Sequence, residues 1–269
     1  MGFICYQPHA ALSSYVEKII IVEFHLQAAP VQEIIFVPDY HQYLCFILDD
    51  KIKVMEDGLL TTRADSILVG SHLSSTTVQL GKNHRAIYVQ FKAAGLHHLF
   101  QVPQQEMLCN CCDASLFLGS QATEITQRLR DARSGEEQNT IIQYFLLKRL
   151  NLIRSPHPFD QAILTFTEGG GNLSIEEIAA QSCLSMRQFE RICKLKLGLS
   201  PRLFGRLIRF YNVYKLKELH PDLSWCEMAL RCGYYDHMHM IRDFKKFAGV
   251  CPGGMEEDDY YRSFPYQRA

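Results

Sequence analysis

The sequence predicts an α+β protein, in which a β-rich amino-terminal domain with following helices precedes an all-α carboxy-terminal domain. Three observations lead to this fold class. Short runs rich in Val, Ile, Tyr and Phe fill residues 18–92. Helical spacing of apolar residues begins after Lys92. A unit of two helices and a turn then occurs twice, and 269 residues are enough for two ordinary domains.

Five segments of the first domain read as β-strands, most of them bounded by Gly, Pro, Asp or Asn. Strands at this spacing predict an antiparallel barrel or sandwich. The segments are KIIIVEFHL at 18–26, YLCFILD at 43–49, SILVG at 66–70, TTVQL at 76–80 and RAIYVQFK at 85–92.

Helices are predicted next, and they complete a domain that covers residues 1–153. The stretch RSPHPFD at 154–160 contains two prolines and little apolar content, so residues 154–159 are interpreted as a linker. The predicted helices are AAGLHHLF at 93–100, SQATEITQRLRDA at 120–132 and EEQNTIIQYFLLKRLNL at 136–152.

Helix-start signals dominate the second domain, which spans 160–255 and precedes an acidic and aromatic tail at 256–269. Ser174 has Glu177 three residues later, which is the capping-box pattern. Ser185 begins a basic helix that Gly198 ends. Further helices are predicted to begin after Ser200, where Pro occupies the first position, after Ser224 and after Asp236.

An internal repeat relates the two basic helices of this domain. A shift of 51 residues superimposes two helix caps, two cationic positions, a glycine stop and a proline. A short helix, a turn and a capped basic helix form the helix-turn-helix pattern, whose second helix enters the DNA major groove. The matched positions are Ser185 with Asp236, Arg191 with Arg242, Lys194 with Lys245, Gly198 with Gly249, and Pro201 with Pro252.

The charge distribution also indicates an anionic partner. Residues 183–252 hold 13 Lys+Arg against 6 Asp+Glu, a balance of +7, although the whole chain carries −1. Double-stranded DNA is the partner we expect. The helix predicted at about 201–219 would be roughly 28 Å long, close to the roughly 34 Å between successive major grooves on one side of B-DNA. Two reading helices could therefore enter adjacent grooves.

Residues 160–255 resemble the double helix-turn-helix domain of the AraC/XylS family of transcription regulators. The stretch GYYDHMHMIRDFKKFAGVCP is similar to the family signature, and LSIEEIAAQSCLSMRQFERICKLKLGLSP matches the first unit. Met238 and Met240 depart from the residues more common in the family. The first 150 residues more loosely resemble the attached sensory or dimerising domains, often a cupin-like barrel followed by helices.

Candidate DNA-binding residues lie on the outer face that each basic helix would present. The resemblance implies that Arg187, Glu190 and Arg191 read bases. Arg can form two hydrogen bonds to guanine. Glu can accept a hydrogen bond from cytosine N4, or it can instead orient a neighbouring arginine. Met238 could meet a thymine methyl, and the lysines are expected to contact phosphates. The full set is Arg187, Glu190, Arg191, Lys194, His237, Met238, Arg242, Lys245 and Lys246.

Other function classes are less well supported by the residues. No signal sequence or bilayer-spanning run is present, so we expect a cytoplasmic protein without membrane contact, whose ten cysteines are reduced thiols. The histidines of the predicted strands lack close pairing, so neither catalysis nor a cofactor is expected. The resemblance implies a possible small-molecule effector, a possible homodimer and, for an activator, RNA polymerase as a partner.

One alternative remains, because LCNCC supplies Cys109, Cys111 and Cys112 within four positions. Thiolates are ligands for zinc or copper, so a metal- or thiol-responsive regulator is the competing hypothesis. The spacing matches no zinc finger, and no metal ligand is assigned.

Overall fold

The computed structural model describes residues 2–25, 31–56, 58–108, 110–150 and 158–254. In this part of the chain ten strands are present, and the last of them ends at Asp113. Their bounds are β1 Gly2–Tyr6, β2 Val16–His25, β3 Val31–Phe36, β4 Gln42–Ile47, β5 Lys53–Glu56, β6 Leu59–Thr62, β7 Ser66–Val69, β8 Thr76–Gly81, β9 Asn83–Phe91 and β10 Cys111–Asp113.

The strands form two antiparallel sheets, with the orders β1-β2-β9-β4-β7-β10 and β3-β8-β5-β6. Strand β4 shows how the larger sheet is buried on both faces. Tyr43 and Cys45 join the apolar core between the two sheets, whereas Leu44 and Phe46 point to the opposite face. Alternate side chains of a strand point to opposite faces, so a continuous apolar run fits a strand covered on both sides.

Helices cover that second face of the larger sheet. Side chains such as Ile142 and Leu146 of α4 and Leu129 of α3 form one apolar core with Val89 of β9. The four helices of this layer are α1 Gly95–Phe100, α2 Ser115–Leu118, α3 Ser120–Asp131 and α4 Gly135–Leu150.

The predicted β-rich domain with following helices is confirmed. All five predicted strands are present, and the two sheets correspond to the sandwich alternative. Strands β1, β3, β5, β6 and β10 were not predicted. In β6 all four residues are exposed, so no alternation of buried and exposed residues marks it. The cupin likeness stays a prediction.

Within residues 158–254 the carboxy-terminal domain has six α-helices, and five of them begin directly after the predicted caps. The first starts at Pro158, inside the segment interpreted as a linker, and residues 151–157 and the tail at 256–269 lie outside the described residues. The helices are α5 Pro158–Glu168, α6 Ile175–Gln181, α7 Met186–Leu197, α8 Pro201–Leu219, α9 Trp225–Arg231 and α10 His237–Phe247.

The two domains share an apolar junction. The ring of Tyr40, from the β3–β4 loop, lies edge-on to Phe204 and Tyr211 of α8, with ring centroids 6.1 and 5.6 Å away. Val37 and Ala93 belong to the same core cluster as the helices of the second domain. Within the described ranges no helix has the length and apolar character needed to cross a membrane.

Candidate nucleic-acid interface

The first helix-turn-helix unit consists of α6 and α7. The Ser185 hydroxyl accepts from the Gln188 backbone N–H, and the Gln188 side chain accepts from the Ser185 N–H, which is a complete capping box. The turn between the helices contains Cys183 with φ of 55°, a left-handed conformation. Phe189 and Cys193 of α7 are fully buried, so one face of the helix is fixed in the core.

The opposite face of α7 carries the predicted base readers. Arg187, Glu190, Arg191 and Lys194 are all exposed, and α7 brings them together on one surface. Glu190 has no ion-pair partner in the described part of the chain, so the alternative in which it orients a neighbouring arginine has no contact to support it. The side chains are therefore available to a ligand from solvent.

The second unit consists of α9 and α10, and its turn is tightly packed. Gly233 has φ of 77°, and a Cβ at this position would lie 2.1 Å from the Asn172 side-chain oxygen. Asn172, from the α5–α6 loop, also donates to the Cys232 carbonyl at 3.5 Å. Glycine is required here both by the backbone conformation and by this close approach. The loop before the first unit thus contacts the turn of the second.

Helix α10 separates the alternating histidines and methionines of its first turn. Met240 is fully buried beside Phe244, whereas Met238 is 56% exposed and His237 is half-buried. The backbone N–H of His239 donates to the Asp236 carboxylate at 2.7 Å. This hydrogen bond, more than the nearby His239 ring, lowers the pKa of the Asp236 carboxyl. Asp236 is thus an N-cap, as the sequence predicted.

The remaining candidates of α10, Arg242, Lys245 and Lys246, are exposed along the same helix. Helix α8, 19 residues long, connects the two units, and Phe210 of α8 packs against α10. The structure therefore brings the nine predicted residues onto two helices that one continuous helix connects.

One polar residue of α10 was missed by the sequence analysis. Asp243 is 3% exposed, and its carboxylate accepts from the Arg206 guanidinium at 2.5 and 2.9 Å and from the Tyr234 hydroxyl at 3.1 Å. Nearby Asp243 is, after burial, a further cause that raises the pKa of Tyr234. This network joins α8, the α9–α10 turn and α10. Its sequence signal is weak, because an Arg-Asp pair 37 residues apart has no local pattern.

Three arginines of α8 were also missed. Arg202 is exposed, Arg206 binds Asp243, and Arg209 donates to the Gly171 carbonyl at 2.6 Å. Spacings of four and three residues put them on one helical face. That spacing was visible in the sequence, and they line a surface between the two units.

The cysteine cluster does not converge on one point in the described residues. Cys111 and Cys112 are neighbours in β10; Cys111 belongs to the core between the sheets, whereas Cys112 packs against the core of the helical layer. Burial raises the pKa of both thiols. Cys109 lies outside the described residues. Among the residues described, no group of three His, Cys, Asp or Glu side chains could hold a metal ion.

Two protein families match separate parts of the chain. Residues 178–257, which include α7, α8, α9 and α10, match a family described as "Helix-turn-helix domain". Residues 5–113 match a family described as "Domain of unknown function (DUF6597)", which includes all the strands after β1.

Individual relatives share similarity with the chain to different extents. The HTH-type transcriptional activator RhaS of Klebsiella pneumoniae (strain 342) is 35% identical over 71 residues, which are 26% of this chain and 25% of RhaS. A crystal structure of ToxT from Vibrio cholerae is 10% identical with a TM-score of 0.49, covering 97% of this chain and 98% of ToxT. The AraC-like transcriptional activator CuxR is 10% identical with a TM-score of 0.23, covering 90% and 79%. At these TM-scores the structural likenesses support no functional conclusion.

Proposed function

The carboxy-terminal domain of this chain belongs to the AraC/XylS family of DNA-binding transcription regulators, and from this premise we propose that the protein binds specific DNA sites by inserting α7 and α10 into two adjacent major grooves. The similarity to RhaS extends over only 71 residues, a quarter of the length of RhaS, so the activity of the whole chain is part of this proposal.

The observation that supports the proposal is the pair of basic capped helices connected by α8. Each helix buries one face and exposes cations on the other, as Arg191 and Arg242 illustrate. Helix α8 has 19 residues and is therefore about 28 Å long, close to the roughly 34 Å between successive major-groove faces. Arginine can bind guanine O6 and N7 bidentately, so either helix can supply a base contact.

We propose further that the amino-terminal domain controls how the two helices are presented. Contacts of the amino-terminal domain reach the carboxy-terminal ends of α7 and α10. A Cβ at Gly198, which ends α7, would lie 2.7 Å from the Gln104 carbonyl oxygen. The Ser75 N–H donates to the Phe247 carbonyl, in the last residue of α10, at 3.1 Å. A ligand or dimer contact that shifts this domain would change the relative position of α7 and α10.

The remaining parts of the proposal concern partners and place. RhaS is named as an activator, so activation in the cytoplasm through contact with RNA polymerase is the output proposed here. A small-molecule effector and a second copy of the chain are the inputs proposed for the amino-terminal domain. A ligand screen read out by thermal shift, and the mass of the protein in solution, test these two inputs.

Selection of bound fragments from genomic DNA tests the main proposal. We expect enrichment of sites with two recognition elements about 10 base pairs apart, and affinity that falls steeply as salt increases. Fragments without a shared motif, or binding that salt does not weaken, would contradict sequence-specific recognition.

Substitution of matched arginines tests the assignment of the reading helices. Arg191→Ala should weaken binding to the selected site by about 1–3 kcal/mol and relax specificity at one position. In the family that these units resemble, the second reading helix is often the weaker one, so Arg242→Ala should cost less. An unchanged affinity of Arg191→Ala for the selected site, with an unchanged thermal melt, would show that Arg191 does not read bases.

A further inference from the structure

A cationic surface lies between the two helix-turn-helix units. A cleft of about 710 Å³ is formed by α8, the α9–α10 turn and α10, and a second of about 350 Å³ lies between α8 and the start of α6. The two clefts share Asn172, Arg206 and Arg209. We call this continuous depression the central trough.

The lining of the trough is positively charged. Arg202, Arg206, Arg209 and Arg242 all line it, and His239 adds an imidazole. Among the described lining residues Asp243 is the one carboxylate, and it is buried against the Arg206 guanidinium at 2.5 Å. The exposed Arg202 and Arg242 have no ion-pair partner in the described ranges.

The inner arginines are held in place by the protein. Arg209 donates to the Gly171 carbonyl at 2.6 Å, and its guanidinium lies 5.7 Å from the centre of the Tyr234 ring. Arg206 lies between the Asp243 carboxylate and the Phe247 ring. A guanidinium has five N–H donors, so each arginine keeps donors for a further acceptor after these contacts. The fixed geometry lowers the entropy lost on binding an anion.

The trough also lies on the side where the proposed DNA would pass. His239 and Arg242 belong both to its wall and to the exposed surface of α10. Its other end reaches Ser174 and Ile175 at the start of α6, the first helix of the first unit. Arg202 and Arg209 are seven residues apart, or about 10 Å along α8. Phosphates of one DNA strand are about 3.4 Å apart along the helix axis, so this length matches about three of them.

We propose that the central trough binds the phosphate backbone of the DNA segment that lies between the two major grooves. The inference rests on the proposed function and adds a third contact region, between α7 and α10, in which the arginines of α8 contact phosphates and read no bases. Arginine forks match phosphate oxygens in geometry and charge. Contacts of this kind fix the register of the protein on the duplex without specifying its sequence.

The test compares variants that each alter the trough with a control that removes the same charge elsewhere. Arg202→Gln removes the exposed arginine. The double variant Arg206→Gln/Asp243→Asn removes both partners of the buried ion pair, so that no carboxylate is left unpaired. Lys53→Gln, an exposed cation of β5, is the matched control for Arg202→Gln. The full-length proteins are titrated with the selected site and with a random duplex of about 30 base pairs, over a range of salt concentrations.

The expected results concern affinity, its salt dependence and ethylation interference. Arg202→Gln and the double variant should lose about tenfold in affinity for both duplexes, and the slope of log affinity against log salt should fall by about 0.9 for each phosphate contact removed. Lys53→Gln should match the wild type. Ethylation of the phosphates midway between the two recognised grooves should block binding of the wild type and have little further effect on the trough variants.

Other outcomes separate this inference from the proposed function. If Arg202→Gln and the double variant, both still folded at the assay temperature, bound the selected site with the wild-type affinity and salt slope, the trough inference alone would be overturned. Ethylation interference confined to the phosphates that flank the two recognised grooves would also overturn the trough inference. A wild type that binds neither duplex would overturn the proposed function, and the trough inference with it.

Discussion

The two helix-turn-helix units share a sequence pattern, but different interactions stabilise them. In the first unit the core position of α7 is Cys193, and the residue beside it is the half-buried Ile192. The matched positions of α10, 51 residues later, are Phe244 and Asp243, both buried. Phe244 lies 5.0 Å from Phe210 and 5.6 Å from Trp225, ring centre to ring centre. At these matched positions the second unit thus has an aromatic cluster and a buried ion pair, whereas the ion pair of α7 lies elsewhere, between Lys196 and Asp160 of α5 at 2.6 Å.

The two units therefore share their helix caps and exposed cations but differ in their interiors. Apolar volume and one polar network can replace each other if every buried polar group keeps a partner. Asp243 has three donor contacts from two residues, so its burial is satisfied. Single substitutions should therefore affect the two units unequally.

The largest inequality is expected for the matched core positions. Phe244→Ala should lower the free energy of unfolding by about 3–5 kcal/mol, because it leaves a cavity beside Phe210 and Trp225. Cys193→Ala removes one small buried sulfur and should cost about 1 kcal/mol. Denaturant unfolding measures both. Equal losses would contradict the aromatic cluster as the main stabilising feature of the second unit.

The buried ion pair should give the next effect. Asp243→Asn removes the charge that faces the Arg206 guanidinium and should cost about 2–3 kcal/mol, less than for a fully buried pair because Arg206 is 37% exposed. The double variant Arg206→Gln/Asp243→Asn should recover part of this loss. If the stability loss of the double variant equalled the sum of the losses of Arg206→Gln and Asp243→Asn measured singly, the two residues would not be coupled.

The turns of the two units differ at another matched pair. Gly233→Ala should cost about 2 kcal/mol, because its φ of 77° disfavours a side chain and the new Cβ would displace Asn172. Cys183 lies 50 residues earlier, because the second turn is one residue longer, and it has the left-handed φ of the first turn, 55°. Cys183→Gly should therefore be nearly neutral or stabilise by about 0.5 kcal/mol. Thermal melts of the two variants test the contrast, and a marked loss for Cys183→Gly would contradict it.

The helix caps should differ least, and only in acid. The pKa of Asp236 is lowered, so its contribution is fully present above the unfolded-state pKa of about 3.9 and is lost as pH falls through the lower folded value. Ser185 does not titrate there. Stability measured from pH 6 to about 2 should therefore fall less in Asp236→Ser than in the wild type. Identical pH profiles would show that the cap charge does not contribute.

Much of this arrangement could be predicted from local sequence signals. The starts of α7, α8 and α10 follow directly from Ser185, Ser200 and Asp236, because a cap binds the backbone two or three residues away. The repeat predicted two similar units because it consists of the same local signals. The four central strands of the doubly covered sheet, β2, β9, β4 and β7, were also evident, since their apolar runs contrast with the polar turns around them.

Contacts between distant segments could not be predicted in this way. The edge strand β6 owes its place to pairing with β5, which its own exposed residues do not indicate. The linker interpretation of residues 158 and 159 was made from Pro158, yet proline is tolerated in the first turn of a helix, where its missing N–H costs nothing. Phe159 is fully buried in the core of the second domain.

Local sequence signals specify the starts of α6 to α10, the repeat, the exposed cations of α7 and α10, and the four central strands of the buried sheet. All of these depend on interactions within a few residues or on a simple period. Three other features became visible in the folded molecule alone: Asp243 pairs with Arg206, Cys111 and Cys112 face different cores, and three arginines of α8 line one trough. Those facts depend on which distant segments pack together, and packing is decided by the whole chain.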